Sequence, residues 1–413
     1  MAEQTLLYGF IGVIIFILSP GKSLSENGNI SINKADFELQ HGDRVVLLGN
    51  SLIQEDVQYG YIEYALTTRW PERDITFRNL GWTGDTVHGE ARSYYTSTPS
   101  EYELLIKQVR EAKPTVVIIG YGSNEAYKGE EGIPEFRQGL HKLLNDIEKM
   151  GARVVLLSPI PQLVTSISSD KISKRNKNLE RYTSVISQTA EQREIRFVNL
   201  FDPFKKIGTS DQLTNDGIHL NEHGYYFLAT VLESELVLPS RNWKINIDQS
   251  DRVINAAGPV EIVDAQFSKK SIQFKADNKM FSLVPPEATL FRNHSSSLFT
   301  IKALKKGCYT FTKGIDEIAS ASAKRWSKGV KINNRILFRQ AQELRDLIIE
   351  KNKLYFRKYR PTNRTYLVGF RSFEQDQNMK ELEQIDLFIA RLEDKIFQLR
   401  RPNFKIHRLS VVK

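Results

Sequence analysis

A single cysteine, Cys308, stands among 413 residues. One thiol excludes an intramolecular disulfide framework and any cysteine-rich zinc site. It does not specify a reducing compartment, because a large exported protein can fold without disulfides. Long hydrophobic runs are also lacking. The uncharged apolar run Leu6–Leu18 (LLYGFIGVIIFIL) has thirteen residues, short of the ~20 that a membrane-spanning helix needs. A polytopic membrane protein is therefore excluded. No repeat at a solenoid period is visible. Hydrophobic residues at 40% and charged residues at 26% exclude a wholly disordered chain. The length suits two to three domains of ~100–200 residues each.

The run Leu6–Leu18 fits the apolar region of a signal peptide. Small residues at Ser23 and Ser25 suit cleavage after Ser25. Residues 1–25 are therefore expected to be an export signal or an uncleaved N-terminal anchor, placing the protein in a periplasmic or extracellular space. The segment is atypical in carrying Glu3 and no Lys or Arg before Lys22. The absence of a cysteine near the start excludes a lipid anchor on that residue type.

Acidic charge is scarce in the second half. Residues 241–413 carry 34 Lys and Arg against 18 Asp and Glu, a surplus of 16 positive charges; the first 240 carry 24 against 31, a deficit of 7. Such asymmetry indicates two units with different surfaces. A basic solvated face, a polyanion site or a surface for the acidic half would each account for it.

From residue 40 to 240 strands and helices alternate. Asp43–Gly49, Asp74–Asn79, Thr115–Gly120, Arg153–Ser158 and Arg196–Asn199 are short, β-branched apolar runs expected to be buried strands. Between and after them, Tyr59–Trp70, Glu101–Ala112, Ile133–Met150, Ile172–Gln192 and Asn221–Leu236 have helical spacing. Strands apolar throughout imply a parallel sheet covered on both faces. Alternation with helices implies right-handed crossovers. The expected domain, residues 26–240, is a three-layer α/β/α sandwich. Beyond it, the runs KINI, VEIV, SIQF, FSLV, LFTI and CYTF predict a small antiparallel sheet or sandwich over 241–315. Residues 316–413 read as a basic helical region, with long helices over 317–356 and 378–399. A connector, Arg360–Phe373, joins them.

Polar clusters fall just after the predicted strands. Gly49-Asn50-Ser51 follows the first, and Thr83-Gly84-Asp85-Thr86 lies beyond the second. Gly122-Ser123-Asn124-Glu125 follows the third, and Asp216-Gly217-Ile218-His219 comes after the fifth. In an open α/β sheet this rim is where ligands bind. Serine needs a base to become a nucleophile, and imidazole, ordinarily near pKa ~6.5, is mostly neutral at pH 7. Ser51 and His219 are thus a candidate nucleophile and base. Asp216, three residues earlier, is placed to fix the imidazole tautomer. The N–H groups of Ser51 and Gly84 and the side-chain amide of Asn124 are candidate oxyanion donors. Trp82, Arg92, Tyr94 and Tyr121 flank these loops and suit a sugar ring or acidic substrate, although core packing accounts for Trp82 equally well. His88 and His223 are expected to be structural or exposed.

Together the four blocks resemble the SGNH hydrolases, also called the GDSL esterase/lipase family. The resemblance covers about 200 residues. It implies a flavodoxin-like sheet, no metal or organic cofactor, Ser51 as nucleophile, and Asp216 and His219 as its triad partners. It further implies that Gly84 and Asn124 complete an oxyanion hole. A Gly-x-Ser-x-Gly elbow is absent, which argues against an ordinary α/β-hydrolase. The family usually has Asp at the positions of Asn50 and Glu125. The expected activity is hydrolysis of a carboxylic ester, plausibly of an O-acyl carbohydrate or an envelope ester, with no nucleic-acid partner. The membrane would be touched only through an uncleaved N-terminal segment. A catalytically degenerate domain serving as a secreted binding or scaffold protein is the alternative.

Overall fold

The computed structural model describes residues 37–93, 99–163, 169–207, 212–268, 271–286, 297–332, 335–360, 376–402 and 405–411. The expected signal segment, Tyr94 and most of the connector 360–373 lie outside them.

Five strands, β1 (Arg44–Gly49), β2 (Thr76–Asn79), β3 (Val116–Gly120), β4 (Arg153–Leu157) and β5 (Arg196–Val198), form one parallel sheet in the order β2-β1-β3-β4-β5. This is the expected flavodoxin-like order. Each strand side chain serves one face or the other. Val45 and Leu47 of β1 join one hydrophobic core, while Val46 and Leu48 join the second. Both faces need cover, and helices supply it. α3 (Tyr61–Thr67) and α8 (Glu222–Glu235) pack on the first face. α4 (Glu101–Glu111), α5 (Ile133–Glu148) and α6 (Ser169–Gln192) pack on the second. Two single turns, α1 (Ser51–Gln54) and α2 (Asp56–Tyr59), follow β1, and α7 (Phe201–Ile207) follows β5. The strand order reverses between β1 and β3, whose C-terminal residues Gly49 and Gly120 are register partners. Loops leaving these two strands diverge there, opening a crevice at the sheet edge.

The β-rich region is larger than the sequence suggests. One sheet runs β13-β10-β6-β7 and the other β12-β11-β14-β9-β8. Their strands are β6 (Lys244–Asp248), β7 (Val253–Ala257), β8 (Val260–Phe267), β9 (Ser271–Asn278), β10 (Ser297–Lys302), β11 (Cys308–Lys313), β12 (Asp316–Ser322), β13 (Val330–Ile332) and β14 (Lys405–Val411). Phe274, Phe299, Phe311 and Trp326 fill the core they share. Several expectations are corrected. FSLV, residues 281–284, forms no strand; Phe281, Leu283 and Val284 pack into the hydrolase-side core instead. Residues 317–332 are β12, a short helix α9 (Ala323–Lys328) and β13 rather than the start of a long helix. β6 and β10 pair parallel, within otherwise antiparallel sheets. The boundary expected at 315/316 thus falls inside a β-hairpin, and β14 returns the C-terminus to the sandwich between β9 and β11.

The two long helices, α10 (Arg335–Tyr359) and α11 (Asp376–Leu399), lie against the α/β domain. Leu344 and Ile348 of α10 enter its first core, and Tyr355 and Ile389 enter its second. Lys351 is buried, donating to Glu63 Oε1 at 2.6 Å, Oε2 at 2.8 Å and Phe77 O at 3.0 Å; Asn352 donates to the same carboxylate at 2.9 Å. Burial pushes Glu63 up and Lys351 down from their ordinary values, with their mutual attraction opposing both shifts.

Candidate active site

β1 ends in Gly49, and Asn50 caps the turn α1 that follows. Its Oδ1 accepts from the Leu52 N–H at 3.2 Å. A capped turn straight after a buried strand holds Ser51, the first residue of α1, at the sheet edge. β3 is followed by Gly122, whose φ of +104° suits a residue without a Cβ. The chain then bends into a 3₁₀ turn that begins after Asn124, whose side chain makes no capping bond. Asn124 Nδ2 donates to Asp85 O at 2.8 Å, tying this loop to the one after β2. One N–H of that amide remains for another acceptor. Gly84 has φ +83°, again in the left-handed region.

Thr214 pairs with Leu220 in an isolated bridge and closes the loop carrying Asp216 and His219. Asp216 Oδ1 accepts from the N–H groups of Ile218 at 2.8 Å and His219 at 2.7 Å. Its Oδ2 lies 2.5 Å from His219 Nδ1. Burial pushes the Asp216 carboxyl up, but its bonds to the His219 ring and the two backbone N–H groups outweigh that. They hold it well below the usual carboxylate range. The ring is oriented through Nδ1, which leaves Nε2 to act.

Ser51, Asn124 and His219 line one open depression, together with Ser123, Tyr127 and Arg175. Three of the four sequence clusters therefore meet at one depression. Gly84 does not line it; the carbonyl of its neighbour Asp85 accepts from Asn124. Of the expected pocket residues, Tyr121 reaches the cavity, whereas Trp82 and Arg92 do not line it. Arg92 is fully buried and donates to Asp85 Oδ2 at 2.9 Å, to Leu80 O at 2.8 Å and to Gln108. Its cation holds the Asp85 loop in place rather than facing a substrate. Trp82 is buried beneath the guanidinium groups of Arg92 and Arg360, at 5.0 and 4.3 Å from its ring centroid. His88 packs against Gly139, and neither it nor His223 lines the cavity.

Arg175 and Tyr127 carry no sequence signal that would have singled them out. Arg175, on α6, stacks 3.5 Å from the Tyr127 ring centroid and donates to the Ser123 carbonyl. Glu125 is buried and accepts from the N–H groups of Val87 and Gly122, both at 2.9 Å. Its desolvation outweighs these bonds and pushes its carboxyl up to about 7. Among the described residues no cluster of His, Cys, Asp and Glu could hold a metal ion, and no helix is long and apolar enough to cross a membrane.

Sheet order and rim residues match the SGNH-type arrangement expected from the sequence, and the family comparison agrees over the α/β domain. Residues 47–227 match the GDSL-like Lipase/Acylhydrolase family. BT4096, a gut microbial diltiazem-metabolizing enzyme, is similar over 92% of this chain and 99% of its own, with 18% identity and a TM-score of 0.71. That likeness concerns fold and extends through the β-sandwich and long helices. An acetylxylan esterase from Geobacillus stearothermophilus, Axe2 in a catalytic-mutant form, is similar over 49% of this chain and 97% of its own, at 19% identity and a TM-score of 0.39. LAE5, an alpha/beta hydrolase from the metagenome of Lake Arreo, Spain, is similar over 48% and 97%, at 19% identity and a TM-score of 0.38. No curated protein matches the chain.

Proposed function

We propose that this protein is an exported serine esterase that removes an acyl group from a carbohydrate or envelope ester. The carrying observation is that Ser51, Asn124 and His219 share one cavity while Asp216 grips His219 Nδ1. In this reading His219 Nε2 takes the Ser51 proton as Oγ bonds to the acyl carbon. The N–H groups of Ser51 and Gly84 and the free N–H of the Asn124 amide receive the oxyanion. Nε2 then returns its proton to the departing alkoxide as the C–O bond breaks. Water attacks the acyl-Ser51 ester, gives its proton to Nε2, and the carboxylic acid leaves. Ser51 Oγ regains its proton.

The carbohydrate or envelope substrate rests on the expected export of the chain. The test is a panel of acyl esters, from nitrophenyl acetate to acetylated oligosaccharides, assayed with the wild type and with Ser51→Ala. Turnover that depends on Ser51 supports the proposal. Turnover unaffected by Ser51→Ala removes it, and no turnover on any ester indicates a binding protein on this fold. Mass measurement of the protein recovered outside the cell tests cleavage after Ser25.

A further inference from the structure

The residue before the proposed nucleophile controls the polarity of a hydroxyl in the cavity wall. Asn50 is oriented by two bonds. Its Oδ1 accepts from Leu52 N–H at 3.2 Å, and its Nδ2 faces Ser123 Oγ at 2.7 Å. An amide nitrogen donates and does not accept, so Ser123 Oγ is the acceptor of this bond. The proton of that hydroxyl must therefore point elsewhere. Among the described residues no acceptor takes it, and Ser123 lines the cavity that also holds Ser51, Asn124 and His219.

Ser123 is also held by its backbone. Arg175 donates to its carbonyl, and Arg175 is itself stacked on Tyr127. The preceding Gly122 supplies the left-handed bend. A donor fixed from both sides and left without a partner is preorganised for a ligand oxygen.

We propose that the Ser123 hydroxyl donates to an oxygen of the bound ester, and that Asn50 is the positioning residue that keeps this donor free. This inference rests on the hydrolase reading above. A carboxylate at position 50 would invert the bond: it can only accept, so it would draw the Ser123 proton away from the cavity.

The experiment is a double-variant cycle on the full chain, with Ser123→Ala, Asn50→Asp and the pair, scored by kcat/KM on one ester and by melting temperature. Ser51→Ala is carried as the null. Ser123→Ala and Asn50→Asp are each expected to lower kcat/KM roughly tenfold, the scale of one hydrogen bond. The pair should fall no further than either alone, because both remove the same donor. Ser123→Thr, which keeps the hydroxyl, should recover most of the rate. Asn50→Asp stays informative if Ser123→Ala folds poorly, since it removes no side chain. Wild-type rates in Ser123→Ala, or losses that multiply in the pair, overturn the proposal. A wild type without Ser51-dependent turnover overturns the hydrolase reading first, and this one with it.

Discussion

At the scale of single residues the chemistry turns on one imidazole. Asp216 stays ionised across neutral pH, because its hydrogen bonds keep it well below the usual carboxylate range. The rate is therefore expected to fall on the acid side, because an imidazolium cannot take the Ser51 proton. A rate independent of pH from 5 to 9, with chemistry limiting, would contradict this. Asp216→Asn should lower kcat on the order of 10²–10⁴-fold, since the amide can donate to Nδ1 and favour the wrong tautomer. A loss below threefold in steady-state assays would remove Asp216 from the proposed role. Ser51 and Asn124 stood out in the sequence because each lies within four residues of a strand end, and Asp216 and His219 because they lie three residues apart just ahead of a helix. Arg92 was misread for a reason that spacing cannot supply. Its partner Asp85 is seven residues away and buried with it, and nothing local distinguishes a buried paired cation from one facing substrate. Arg175 was invisible because it reaches the cavity from the second turn of a long polar helix.

At the scale of elements the ion pair of α3 with α10 carries a pH-dependent cost. Glu63, raised by burial, binds its proton more tightly when folded than when unfolded. Its contribution therefore turns unfavourable as pH rises above the unfolded carboxylate value of ~4.3. Lys351 opposes that cost from 2.6 Å. Lys351→Met should destabilise the protein by about 3–5 kcal/mol at pH 8, the scale for an orphaned buried charge. The loss should be smaller at pH 5, where the carboxyl can take a proton. Denaturant titrations at the two pH values read the difference directly, and an equal or larger loss at pH 5 would refute it. The double replacement Glu63→Leu with Lys351→Met should recover most of the stability, because apolar packing then replaces both charges. The parallel strands were legible as continuous apolar runs, and the helices between them by their period. Past residue 280 the same rules failed where tertiary context decides. FSLV is apolar because it packs against α3, with Tyr64 donating to Ser282 O and Tyr61 to Val284 O, both at 2.8 Å. β14 is basic, and only the gap between β9 and β11 makes it a strand.

At the scale of the whole molecule the charge asymmetry read from the sequence becomes a built interface. The basic half meets the acidic one through Arg345 with Glu222 at 2.7 Å, and Lys351 with Glu63. Arg241 donates to Glu233 Oε1, to Thr68 Oγ1 and to Ala65 O. The Ser51 cavity is nonetheless lined, among the described residues, only by positions 50–225. The second half supports the site from outside: Arg360 donates to Gln54 Oε1 at 2.6 Å, and the same oxygen accepts from Thr83 N–H at 2.8 Å beside Gly84. Cutting the chain at residue 240 would strip Leu344 and Ile348 from the first core and leave Glu63 buried or half-buried without its cation. A protein of residues 37–240 is therefore expected to melt roughly 10 °C or more below the full chain, given ~2–4 °C per kcal/mol at this size, or to lack a cooperative transition. The two species are compared by calorimetry at one concentration and pH. Equal melting temperatures would show that the α/β domain is stable by itself, and that the interface serves something other than its folding.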